Sequence, residues 1–136
     1  MLRLECGMSD SDDLERIREQ KREQLAARST SPEAPVNVEG GAHLQELLER
    51  HPVVLVDFYA DWCGPCKMLE PTVAEIAAET DAAVLKIDID RHQDIAAQYQ
   101  VQGVPTLYLF NNGSVHERMV GVQDKGTLVG KIESVA

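Results

Sequence analysis

The stretch VVLVDFYADWCGPCKMLEPTVAEIAAET, Val53 to Thr80, sets two patterns back to back. Its first part is nearly continuous in apolar and β-branched residues, as expected for a central strand covered on both faces. Its second part places Leu69, Val73, Ile76 and Ala77 on one side of a helical turn pattern and Glu70, Glu75 and Glu79 elsewhere, which is an amphipathic helix. Between them stand Cys63 and Cys66, with Gly64 and Pro65 inside the pair and Trp62 directly before it. A strand that runs straight into a helix puts Cys63 at the helix N-terminus. Unpaired backbone N–H groups and the positive end of the helix dipole favour a thiolate there, so Cys63 is expected to be the more acidic thiol. Cys66 falls about one turn along on the same side, within the Cα separation of roughly 4.4 to 6.8 Å that a disulfide needs. Pro65 is tolerated because a first-turn residue has no intrahelical N–H partner to lose. Pro71, deeper in the helix, is expected to kink it.

Such a pair is a staple, a metal half-site or a redox couple. As a staple it closes a very short ring and removes little entropy from the unfolded chain. As structural zinc it lacks ligands, because the only other cysteine is Cys6, and His43, His51, His92 and His116 are scattered singly, each expected at the surface. No metal site is therefore expected. A redox couple remains, since Cys-x-x-Cys beside a βαβ pattern in a reducing compartment is most often catalytic.

Outward from this centre, elements alternate. VNV from Val36 is a short candidate strand, and AHLQELLER places Leu44, Leu47 and Leu48 at helical spacing. AAVLKIDID is another strand, Asp90 is a candidate cap for the helix RHQDIAAQYQV, and PTLYLF with SVHERMV forms a hairpin turned by Asn112 and Gly113. A last helix begins near Asp124 and is expected to bury Leu128, Val129, Ile132 and Val135. The order βαβαβαββα predicts an α/β domain, a central mixed sheet flanked by helices on both faces with an antiparallel hairpin at one end.

Residues 1–35 differ in composition. They are dense in charge and end in a Ser, Thr and Pro cluster that reads as a linker, so the domain is expected over 36–136. Within this extension Ser11 or Asp12 is a candidate cap for a helix to about Arg28, but Leu14, Ile17 and Leu25 are too sparse for a buried stripe. A frayed helix or disordered tail is expected, either a solvated appendage or a docking element for a partner. Cys6 within it is either an inert thiol or the site of an intermolecular disulfide.

With 136 residues the chain has room for one domain. Lys and Arg number 13 against 23 Asp and Glu, a formal charge of -10 that opposes binding to nucleic acid or an anionic membrane surface. Only five of the basic residues are lysine, a balance like that of proteins from salt-loving microbes. No apolar run is long enough to span a membrane, and MLRLECGMSDSDD lacks the apolar core of a secretory signal, so the expected place is the cytoplasm.

VDFYADWCGPCK followed by GVPTLYLFNNG resembles the thioredoxin family, and the likeness runs from about Val36 to Ala136. The resemblance implies the thioredoxin fold, with Cys63 the attacking thiol and Cys66 the resolving one. It also implies no bound cofactor beyond the redox-active disulfide Cys63–Cys66. Resolution needs a base near Cys66. Asp57, which interrupts an apolar run where an ionised carboxylate is costly, is the candidate, with its pKa raised; the alternative is an Asp at a solvated strand end. Lys86 matches the family's lysine near that aspartate, and Pro105 its cis-proline, although sequence alone leaves a trans proline at a strand start open. Trp62, Gly64, Pro65, Val104 and Gly121 would form a shallow apolar surface for protein substrates, unless Trp62 is simply core. Tyr59 stands where the family often has tryptophan.

The implied function is a thiol-disulfide oxidoreductase that reduces disulfides in client proteins and is itself recharged by a thioredoxin reductase, as a cytoplasmic monomer. Gly64-Pro65 points to reduction, because a histidine in that interval would stabilise the reduced form and make an oxidant. From another class, a thioredoxin-like scaffold docking through its extension is the alternative; retention of both cysteines and Asp57 argues against it.

Overall fold

The structure, a computed structural model, describes residues 31–136; Cys6 and the expected helix up to Arg28 lie outside the described residues. The apolar run forms β2 (Val53–Tyr59), whose residues from Val53 to Phe58 are all buried. It is central: the sheet order is β1-β3-β2-β4-β5, with β3 (Ala83–Asp88) parallel to β2 and β1 (Val36–Asn37) parallel to β3 on one side, and on the other β4 (Thr106–Asn111) antiparallel to β2 and β5 (Ser114–Val120) antiparallel to β4. Asn112 and Gly113 make the hairpin turn with φ of 52° and 83°, the left-handed region that this residue pair tolerates best.

Period-two alternation along β2 sends its side chains to two separate cores. Val54, Val56 and Phe58 pack with Leu44, Leu47 and Leu48 of α1 (Gly41–Arg50) and Ile95 of α3 (Gln93–Gln98). Val53 and Leu55 pack with Leu69, Val73, Ile76 and Ala77 of α2 (Gly64–Glu79) and with Leu128 and Ile132 of α4 (Lys125–Val135). Helices thus cover both faces, as the pattern predicts. α2 runs unbroken through Pro71, and Asp124 caps α4 by accepting from the Thr127 N–H at 3.0 Å.

Several local expectations are corrected. α3 is shorter than expected: Gln100 takes a left-handed φ of 54°, which ends the helix, and Tyr99 turns into an aromatic cluster with Phe58, Tyr108 and Phe110. Its N-cap position is His92 rather than Asp90, whose carboxylate is engaged elsewhere. Val129 and Val135 are only partly buried, because Leu128 and Ile132 point directly at the sheet. His51 is not a surface residue. It ends α1 where the chain turns into the central strand, and burial there, aided by neighbouring Arg50, lowers its pKa. At the other end of the described chain, the Ser31 hydroxyl donates to the Asp81 carbonyl at 2.8 Å.

Candidate functional site

β2 ends at Tyr59 and α2 starts at Gly64, so the short link between them delivers Cys63 to the helix N-cap. Its sulfur accepts the Cys66 N–H at 3.2 Å, the contact that an N-cap side chain normally makes. Pro65 occupies the first turn, where its missing N–H costs nothing. Both cysteines are free thiols and buried, packed with Ala60 and against Tyr59, Ile89 and Val104. Burial first, and then the hydrogen bond with the Cys63 sulfur, push the Cys66 thiol pKa well up. Cys66 therefore needs help to lose its proton.

Asp57 lies on the α2 face of the sheet, completely buried, and neither carboxylate oxygen has a hydrogen-bond partner. Burial raises its pKa to about 7, against the opposing pull of Lys86 and with a smaller push from Glu70. Its charge also contributes, as a minor cause, to the rise at Cys66. The alternative of a solvated strand end is excluded. Lys86 is the register neighbour of Asp57 across the parallel β2–β3 ladder; its Nζ lies 3.4 Å from Glu70 Oε1 and 4.4 Å from the centre of the Tyr59 ring.

The Val104–Pro105 bond is cis, and the Cys63 thiol faces the Val104 carbonyl at 3.6 Å. Gly121, at φ 91°, donates its N–H to the Pro105 carbonyl at 2.8 Å. Trp62 is 69% exposed rather than core, and Gly64 and Pro65 are exposed beside it, while Val104 and Gly121 are half-buried. These residues surround the cysteines as an open surface. Among the described residues no group of three or more potential metal ligands gathers.

Three nearby residues escaped the sequence reading. Asp90 accepts from Trp62 Nε1 at 2.9 Å, a pairing across the β3–α3 connection that no local pattern signals. Glu70 reads as one more residue of a polar helix face, yet it meets Lys86. Met68 is largely exposed on the same helix as the cysteines; a large apolar residue off the buried stripe was the available signal.

Comparison with known proteins places this geometry in context. The Thioredoxin family model matches residues 35–134. The thioredoxin of Mycobacterium tuberculosis is 40% identical over 104 residues, covering 75% of this chain and 90% of that protein. The thioredoxin of Chlamydia trachomatis is 50% identical over 78 residues, covering 57% and 76%. Among solved structures, a mutant thioredoxin from Halobacterium salinarum NRC-1 superposes with a TM-score of 0.75 at 52% identity, covering 77% of this chain and 93% of that one.

Proposed function

The chain belongs to the thioredoxin family of thiol-disulfide oxidoreductases, and from that premise we propose how its own residues carry the exchange. The Cys63 thiolate attacks a client disulfide; one client sulfur leaves with the electron pair, and the other stays bonded to Cys63. Cys66 then attacks the Cys63 sulfur. The Cys63–Cys66 bond forms, the bond to the client breaks, and the second client sulfur leaves with its electron pair and takes up a proton. The client is reduced and the protein is oxidised by two electrons. Asp57 accepts the proton that Cys66 loses, and Lys86 bears on that carboxyl. Trp62, Gly64, Pro65, Val104, Pro105 and Gly121 receive the client chain, with the backbone at Val104 offering an edge for it to pair with.

Partners in this reading are disulfide-containing client proteins and a thioredoxin reductase that returns the electrons, and the setting is the cytoplasm. Residues 36–136 are the catalytic domain and residues 1–35 a charged appendage. Among the described residues no helix is long and apolar enough to cross a membrane. The observation that carries the assignment of roles is the N-cap arrangement: one buried sulfur accepts the N–H of the other cysteine, while an unpartnered carboxylic acid lies buried on the strand that leads to them.

The test is reduction of insulin with dithiothreitol as electron source. Cys63→Ser is expected to fall to the uncatalysed background, Cys66→Ser to accumulate a mixed disulfide, and Asp57→Asn to release client from that intermediate on the order of 10-fold more slowly near neutral pH. Equal turnover in the wild type and both cysteine variants would reject the assignment.

A further inference from the structure

Asp57 and Lys86 are paired in register across two parallel strands, so their side chains share one face of the sheet. A buried carboxylate with an ammonium for a neighbour is ordinarily paired with it, since an uncompensated charge is costly. Here the carboxylate has no hydrogen-bond partner at all. The ammonium is held elsewhere, by Glu70 at 3.4 Å and over the Tyr59 ring at 4.4 Å. Glu70 sits on α2 four residues beyond Cys66, hence one turn along the same side. Glu70 and Lys86 also line a cavity of about 300 Å³ together with Pro35, Asn37, Val73 and Ala74.

We propose that Glu70 is a positioning residue of the exchange site: its ion pair draws the Lys86 ammonium toward this cavity and away from Asp57, leaving the carboxylate unpaired to take the Cys66 proton. This rests on Asp57 being the base. The charged and titratable groups that act on or with Asp57 are Cys66 and Glu70 from α2, Lys86 from β3 and Tyr59 from its own strand, while β4 places Leu107 opposite it. Among them Lys86 alone favours the ionised carboxyl and Glu70 opposes it, so a Lys86 released from Glu70 shifts the balance doubly.

The experiment is Glu70→Gln in the full chain; the Glu70 side chain is more than half exposed, so the change is tolerated. The Asp57 carboxyl carbon is followed by NMR titration of the reduced protein, and mixed-disulfide release is followed against pH. Both midpoints are expected to move down by about one pH unit, since an ammonium free to approach a carboxylate lowers its pKa by about that much or more. Repeated in a Lys86→Met background, the same substitution should move the carboxyl midpoint by less than half as much, because most of its effect passes through the lysine. An unmoved carboxyl midpoint in Glu70→Gln, or an equal displacement with and without the lysine, overturns the proposal. The base assignment fails separately: unchanged release in Asp57→Asn, with the carboxyl midpoint still moving in Glu70→Gln, removes Asp57 from the mechanism and supports the diversion of Lys86.

Discussion

The indole Nε1 of Trp62 donates to Oδ2 of Asp90 at 2.9 Å, joining the link before α2 to the loop after β3. The ring, on the residue next to Cys63, is thereby anchored although most of its surface is in water. An exposed aromatic ring without such an anchor samples several rotamers, and a client that binds it must first immobilise it.

Trp62 is the only tryptophan, so its fluorescence reports this anchor alone. Asp90→Ala is expected to lower the steady-state anisotropy of the emission and to raise the KM for insulin about two- to five-fold, since an exposed charge-assisted bond is worth at most about 1 kcal/mol. Unfolding stability should change by no more than about 0.5 kcal/mol, because both groups are at the surface. Identical anisotropy in the two proteins would show that the bond does not hold the ring.

A carboxyl that titrates at 3.8 when unfolded and at about 7 in the folded chain makes folding dependent on pH in a definite direction. Well below pH 3.8 both states hold the proton and Asp57 costs nothing. As pH rises from 4 to 7 the unfolded chain releases it first, so stability falls, by about 4 kcal/mol once the folded carboxyl is ionised. Asp57→Asn should therefore be more stable than the wild type by about 2 to 4 kcal/mol in urea unfolding at pH 8, with the two curves converging near pH 4. Taking the difference cancels other titrating groups such as His51. A pH-independent difference would contradict the burial of an unpaired acid.

Salt acts through the formal charge of -10. In molar salt the screening length falls to about 3 Å, which removes most repulsion among exposed carboxylates. It also weakens surface pairs such as Lys125 with Glu75 and Glu79, but each of these is worth at most about 1 kcal/mol. Net repulsion is expected to dominate, raising the urea midpoint between dilute buffer and molar KCl. A midpoint that stays level or falls would show that the acidic surface carries no salt dependence of stability.

Much of the architecture was legible because apolar periodicity is written locally. The run Val53 to Phe58 announces a strand covered on both faces, and Leu69, Val73, Ile76 and Ala77 announce the helix that covers one of them. The element order follows from such runs, and Asn112-Gly113 from turn chemistry. Where the reading slipped, the deciding contact was non-local. His51 is buried because of what the chain does after it, and α3 stops early because Tyr99 finds its place among aromatic residues on β2 and β4.

By itself the sequence determined which residues meet along one helix or one strand: the two cysteines a turn apart, the acid inside an apolar strand, the two faces of α2. Spacing along the chain settles such neighbours before any packing occurs. Only the tertiary structure decided that Trp62 is tied to Asp90, and that Lys86 turns to Glu70 and Tyr59 instead of to the acid beside it. Those choices are made between elements far apart in sequence, where a charged side chain on a flexible stem has several partners within reach and the packed backbone selects among them.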